Sequence, residues 1–349
     1  MSSVASVTIH RSQFPDVVRR DLLESLRTRR VNHKFHYDSI KQTQKWLALH
    51  QAYSPVRKDV DCQAVYEQGF MAAAARIKSQ RIHVIGLGCG GGQKDTRLLK
   101  LLKAHGKEVF YTPCDVSLAM VLTARQTALA VVPEKNCFPF VCDLATADDL
   151  PVVLEEVGLR CCAAADDQQV VPANSARLIT FFGMIPNFEP KQILLELASL
   201  VRPKDFLLFS ANLAPGKNYA AGMKKVLAQY DNPLTRDWLM TFPLDLGIGH
   251  SDGKLRFKIE TDSASSLKRI MAKFHFTRPC RIEVEKETFA FRAGEAIRLF
   301  FSYRYTPERV RKVLTRHGLE VCGQWITESE EEGVFLCRNS EGRALRVPD

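Results

Sequence analysis

The sequence has no apolar run approaching the roughly 18–20 residues that a membrane helix requires, and its mean hydropathy is −0.14. The stretch from Met1 to Arg11 is too polar for a secretory signal. These absences predict a soluble, cytoplasmic protein with no membrane partner. No two of the ten cysteines (62, 89, 114, 137, 142, 161, 162, 280, 322 and 337) are spaced C-x-x-C. That argues against a zinc ribbon or a dithiol redox centre and predicts reduced, mostly buried thiols and no metal. The adjacent pair Cys161-Cys162 gives no chelate spacing. Repeats and low-complexity tracts are also absent. What is present suits a globular protein: 349 residues, 46% hydrophobic and 25% charged. At roughly 150 residues per domain this predicts two domains.

Charge is uneven. The net value is +10, and residues 1–58 hold eleven Lys and Arg against four Asp and Glu. Such a segment can attract nucleic acid. Its basic residues, however, interleave with Val17, Val18, Leu22, Leu23 and Leu26 at helical spacing, which favours a solvated helix face.

Phe14 to Arg27 reads as an amphipathic helix, and Lys41 to His50 as another. Between them, His33-Lys34-Phe35-His36-Tyr37-Asp38 is irregular and aromatic; the two histidines suit structural or substrate-facing roles better than a metal site. From Arg81 strands and helices alternate. Strands are predicted at 82–87, 108–114, 137–142, 178–182 and 206–210, with helices at 96–104, 117–131 and 190–201. This is the pattern of a parallel sheet covered on both faces. Residues 212–304 break the rhythm: a helix at 219–229, an aromatic stretch near Tyr230, and strands at 255–260, 280–284 and 297–303. The tail adds a helix at 307–317 and strands at 319–326 and 333–337. The sum is an α/β, Rossmann-like protein with a seven-stranded sheet, one strand antiparallel, and a second α+β substrate domain.

The strongest local signal is Gly86-Leu87-Gly88-Cys89-Gly90-Gly91-Gly92, a glycine turn between a strand and a helix, where a backbone turns tightly and a cofactor approaches closely. Alone it fits a nicotinamide, a flavin or S-adenosylmethionine. No G-K-[ST] follows, which excludes a P-loop. Two acids discriminate among the rest. Asp115 ends the second strand, where a carboxylate accepts from ribose hydroxyls, and Asp143 ends the third, where it meets an adenine edge. That pairing is the arrangement of class I S-adenosylmethionine-dependent methyltransferases, although both acids also precede helices as N-caps do. No catalytic Tyr/Lys or His/Asp pair supports a dehydrogenase. After the fourth strand comes Gly183-Met184-Ile185-Pro186-Asn187-Phe188-Glu189-Pro190. It lacks the Asn/Asp-Pro-Pro-aromatic order of nucleic-acid amino-methyltransferases, so a nucleic-acid partner is not favoured.

These motifs resemble, in order and over nearly the whole chain, the histidine Nα-methyltransferases of the ergothioneine pathway. Leu87-Gly88-Cys89-Gly90 with Lys94 is similar to that family's glycine turn, and Pro113-Cys114-Asp115-Val116-Ser117 to its second-strand ending. Asn187-Phe188-Glu189-Pro190, Gln229-Tyr230-Asp231-Asn232, Ala293-Gly294-Glu295 with Ser302 to Tyr305, His36-Tyr37-Asp38 and Tyr53-Ser54-Pro55-Val56-Arg57 resemble its further motifs. The resemblance implies S-adenosylmethionine held by Tyr53, Gly88, Gly90, Lys94, Asp115, Asp143 and Leu144. It also implies an amino-acid-like small molecule held by Tyr37, Asn187, Tyr230, Phe257, Phe300 and Ser302, with Asn187 and Tyr37 catalytic.

It divides the chain into a methyltransferase domain (59–211 plus 305–349) and a substrate-binding domain (1–58 plus 212–304). The implied activity is N-methylation of the α-amine of a free amino acid, histidine or a related, aromatic one. The alternatives are another small amine or a peptide as substrate, or a nucleic-acid-binding methyltransferase or pseudoenzyme. Three positions depart from the pattern. Phe300 stands where the family places its imidazole-binding glutamate, Phe257 where a methionine is usual, and Gly86 where an acid precedes the glycine turn.

Overall fold

The computed structural model describes residues 4–160, 171–172 and 174–340; the Cys161-Cys162 pair lies outside them. Its strands are β1 (Thr8–Ile9), β2 (Arg81–Leu87), β3 (Glu108–Asp115), β4 (Phe140–Val141), β5 (Ala176–Phe182), β6 (Phe206–Asn212), β7 (Gly253–Thr261), β8 (Lys268–Phe276), β9 (Cys280–Val284), β10 (Glu287–Phe291), β11 (Ala296–Arg304), β12 (Leu319–Ile326) and β13 (Glu332–Asn339). Strands β2, β3, β5 and β6 are near-continuous runs of Val, Ile, Leu and Phe, as burial on both faces requires. They assemble a sheet in the order β1-β4-β3-β2-β5-β6-β13-β12, in which β13 runs antiparallel to β6 and β12 while the other pairs are parallel. From β2 the chain first builds outward through β3, then crosses to β5 on the other side. That reversal opens a crevice at the carboxyl ends of the central strands.

One face carries Phe110, Ile179, Phe209 and Phe335 against helices Leu150–Arg160, Pro190–Leu200 and Pro307–Arg316. The other carries Val84, Tyr111 and Leu208 against helices Val60–Arg76 and Gln93–Ala104. A smaller antiparallel sheet, β11-β8-β7, packs with the β9–β10 hairpin and helix Pro233–Asp245 around Trp238, Phe274, Phe276 and Phe300. The same core takes Leu26, Val31 and Phe35 from the N-terminal segment.

The structure corrects the sequence reading in several places. The main sheet has eight strands among the described residues, because Thr8–Ile9 pairs with Phe140–Val141 at its edge. Periodicity gives no signal for a two-residue strand. β4 is also shorter than 137–142: Phe140 and Val141 form the ladder, while Cys137 makes an isolated bridge to Tyr111. Helices Val60–Arg76, Leu150–Arg160 and Pro233–Asp245 were not anticipated. In the first and last, apolar residues surround the helix and blur the 3.6-residue stripe, and the stretch near Tyr230 is the turn that enters helix Pro233–Asp245 under an Asn232 cap. The eight cysteines within the described residues are free.

Much of the basic N-terminal segment is paired within the chain. Arg19, Arg27 and Arg29 meet Glu285, Glu287 and Glu295 of the β9–β10 region, Arg11 meets Asp148, and Lys41 and Lys45 meet Asp245 and Asp237. Exposed pairs contribute at most about 1 kcal/mol each, but they occupy the charge that a polyanion would need.

Phe209 is fully buried on β6 and stacks on Phe335 at 5.2 Å. Phe209→Ala is expected to lower stability by about 3–5 kcal/mol in urea denaturation; an unchanged midpoint would contradict this placement of the core.

Candidate active site

A cavity of about 1170 Å³ occupies the crevice and runs from the glycine turn to the small sheet. At one end β2 delivers Gly88 and Gly90 with φ of +60° and +53°. A Cβ on Gly88 would lie 2.6 Å from the Met184 side chain, and one on Gly90 3.3 Å from Trp46. The turn is therefore confined to glycine by both conformation and space.

Asp115, buried at the tip of β3, accepts from Gly90 N and Ser117 N at 3.0 Å each. Burial raises its pKa, and those backbone N–H groups, with that of Val116, moderate the rise. Asp143, also buried, accepts from Ala145 N at 2.9 Å through Oδ1. Its Oδ2 makes no hydrogen bond within the protein and lies 3.3 Å from Lys34 Nζ. Leu144 lines the cavity beside it, and Tyr53, half exposed, stands at the rim. Lys94 also lines the cavity, but its ammonium donates to Tyr66 Oη at 2.7 Å and lies 3.9 Å from Glu332.

Tyr37, Asn187, Tyr230, Phe300 and Ser302 also line this cavity. Asn187 closes the 3-10 turn Ile185–Asn187 that follows β5. Tyr37 is wedged between Trp46 and Trp238, with ring centres 6.1 and 5.5 Å away. Burial raises its pKa, and the nearby Asp115 raises it further, so its hydroxyl stays protonated at neutral pH. Tyr230 Oη accepts from Arg304 Nε at 3.1 Å and lies 2.8 Å from Ser302 Oγ. Phe300 packs on Trp238 at 5.7 Å and on Tyr230 at 6.3 Å.

Twelve of the thirteen residues singled out from the sequence line this one cavity; Phe257 does not. Phe257 and Phe300 both pair with Ala272, on opposite sides of β8, so they stand two strands, roughly 10 Å, apart. Phe257 instead meets the Arg236 guanidinium at 5.5 Å.

Sequence reasoning missed Lys34, Asp95, Arg298, Arg304, Trp46 and Trp238, all of which line the cavity. Phe300, Ser302 and Arg304 alternate along β11, and extending that two-residue period would have found Arg304. Asp95 resolves one departure: a Cβ on Gly86 would overlap its carboxylate. An acid from the following helix thus fills the space that a side chain at 86 would take. Asp95 accepts from Tyr111 Oη at 2.7 Å and Thr180 Oγ1 at 2.8 Å. Among the described residues no group of three or more His, Cys, Asp or Glu could hold a metal, and no helix is long and apolar enough to cross a membrane.

A family model described as histidine-specific, S-adenosylmethionine-dependent methyltransferase matches residues 18–339. The chain belongs to this family. S-adenosylmethionine is accordingly the methyltransferase's cofactor, and the glycine-turn region of the cavity fits it: glycines that leave room, a buried carboxylate on β3, and an Asp143 oxygen that faces Lys34 but makes no hydrogen bond. No curated protein sequence matches the chain. Among solved structures it is similar to the magnesium protoporphyrin IX methyltransferase of Synechocystis with bound S-adenosylhomocysteine (13% identity, 86% of this chain and 95% of that one, TM-score 0.43). It is also similar to the 1,6-didemethyltoxoflavin-N1-methyltransferase of Burkholderia thailandensis (11%, 97% and 94%, TM-score 0.40). A third is the CcbJ methyltransferase of Streptomyces caelestis (14%, 78% and 94%, TM-score 0.36).

Burial raises the Asp95 carboxyl to about 6, against the pull of its Tyr111 and Thr180 donors. Its ionised form is therefore disfavoured on folding. The associated stability is present below the unfolded value near 4 and is lost as pH rises through about 6. Relative to Asp95→Asn, the wild-type protein is expected to lose about 2 kcal/mol between pH 4 and pH 7. Denaturant titrations of both proteins across that range check this, and parallel pH curves would contradict it.

Proposed function

We propose that the enzyme transfers a methyl group from S-adenosylmethionine to the α-amino nitrogen of a free amino acid. The observation that carries this reading is that one cavity holds both sets of residues. It is lined by Asp115, Asp143 and the glycine turn and also by Asn187, Tyr37, Tyr230 and Ser302. In this reading residues 59–211 and 305–349 form the cofactor half, residues 1–58 and 212–304 form the substrate half, and β1 ties the halves together.

Asp115 holds the ribose hydroxyls and Asp143 the adenine edge, while Gly88 and Gly90 let the cofactor lie against the backbone. Leu144 and Tyr53 flank it, and Lys94 braces the loop through Tyr66 and Glu332. When bound, S-adenosylmethionine supplies an electrophilic methyl on a sulfonium. The protein's task is then to present a neutral amine in line with that methyl. Asn187 sits on the turn after β5, beside the glycine turn, where its carboxamide oxygen can accept an amine N–H and fix the direction of the lone pair. The Tyr37 hydroxyl, kept protonated by burial, and Tyr230 donate to the substrate carboxylate. Because Arg304 donates to Tyr230 Oη, the phenol's own proton is free to point at the carboxylate or Ser302. Orientation of this kind contributes about 7–11 kcal/mol of barrier lowering in favourable cases, and no strong base is required. The internal pairing of the basic N-terminal segment supports a small-molecule substrate over nucleic acid.

Asn187→Ala is expected to lower kcat/KM for the methylated amino acid by about 10²-fold while S-adenosylhomocysteine binding, read by calorimetry, is retained. Unimpaired turnover would displace the active site from this turn. Asp115→Asn is expected to do the reverse and weaken S-adenosylhomocysteine binding at least about tenfold, the scale of a charge-assisted hydrogen bond. Unchanged affinity would remove Asp115 from the cofactor site.

A further inference from the structure

Where the cavity meets β11, unsatisfied polar atoms and positive charge gather at one corner. His33 lines the cavity with its ring centre 5.2 Å from that of Phe300 and 4.8 Å from that of Phe301. Both of its ring nitrogens are buried and neither has a hydrogen-bond partner. Arg298 lines the same wall, with its guanidinium 4.8 Å from the centre of the Phe301 ring and its Nε unpartnered. Arg30 and Arg269 are near enough to repel its charge. The local carboxylates are largely engaged. Glu189 accepts from Tyr303 Oη at 2.8 Å and lies 3.5 Å from Arg269 and 3.8 Å from Arg298, and Asp262 lies 3.9 Å from Arg269. Arg298, lowered by burial to about 10, remains charged at neutral pH. His33, held well below its ordinary value by burial and by His36 and Arg298, is neutral and offers one N–H.

We propose that this corner recognises an acidic side chain, so that the substrate is an amino acid ending in a carboxylate, held by Arg298 and the His33 N–H with its carbon chain against Phe300 and Phe301. The inference rests on the α-amine reading above and names the amino acid class. A planar guanidinium presents paired donors that match a carboxylate. An unpartnered Nε and an unpartnered imidazole N–H are satisfied by an acceptor and gain nothing from an apolar side chain, while the Arg298 charge beside them repels a cationic one. Sites built from such buried donors discriminate strongly against ligands that leave them unpaired.

The test is kcat/KM of the full chain with S-adenosylmethionine and L-glutamate, L-aspartate, L-glutamine, L-asparagine or L-histidine. At least one acidic amino acid is expected to exceed its amide counterpart and histidine by about tenfold or more. In Arg298→Gln the acid-to-amide ratio is expected to fall towards one, chiefly through KM, with Arg298→Lys between the two because it keeps the charge and loses the fork. Histidine or an amide methylated in preference to both acids would overturn this inference and leave the α-amine reading standing. No methylation of any of the five would overturn this inference, and no methylation of any free amino acid would overturn both. An Arg298→Gln variant that loses activity equally on every amino acid, with its ratio intact, would remove Arg298 from side-chain recognition.

Discussion

The geometry of the cavity depends on one buried charge. Lys34, almost wholly enclosed, donates to Asp21 at 2.6 Å and to the Ser12 carbonyl at 3.3 Å, and lies 3.3 Å from Asp143. Ser12 Oγ in turn accepts from Asp143 N at 3.0 Å, and β1 pairs with β4 just upstream. The N-terminal segment is thereby fastened to the carboxyl end of β4, where the third-strand acid stands. A buried ion pair is weak evidence for stability, because desolvation offsets most of the attraction, but removing one partner leaves an uncompensated charge and costs about 3–5 kcal/mol. The arrangement instead specifies position. If residues 8–34 are not in place, Asp143 lacks its counter-charge, and Tyr37, three residues on, keeps its packing on Trp46 and Trp238 but loses the anchor at Lys34.

That tie explains how two unlike packing solutions share one site. The parallel sheet buries its central strands on both faces and exposes only their carboxyl ends, where the order reverses and a ligand can enter. The small antiparallel sheet presents the edge strand β11 to the same opening. A bridge between Arg30 and Arg298 joins the N-terminal segment to that edge, and one between Leu213 and Tyr305 joins β11 back to the end of β6. The cavity is thus walled by elements distant in sequence, and its floor of glycines is set by β2.

Legibility followed the range of the interactions involved. The parallel strands were readable because double-sided burial demands unbroken apolar runs. The candidate acids Asp115 and Asp143 were readable because they sit at the ends of such runs. Tyr37, Asn187 and Tyr230 became candidates only through the ordered set of motifs around them. What stayed hidden depends on contacts between remote segments. Nothing local distinguishes Lys34, buried on two aspartates, from Lys41, exposed beside Asp245. Nor does the sequence around Gly86 reveal that the Asp95 carboxylate occupies the vacated space. Phe257 was misplaced because its distance from Phe300 is set by β8 lying between them. The two-residue strand β1 has no periodicity to read.

The central claim is that this cavity methylates an amino acid at its α-nitrogen. The most direct measurement is fragmentation mass spectrometry of the product formed by the purified protein from S-adenosylmethionine and a panel of free amino acids. The account predicts a methylated product whose fragments place every added methyl on the α-nitrogen. Methyl groups on a side chain or on the carboxylate, or no product from any amino acid, would contradict it.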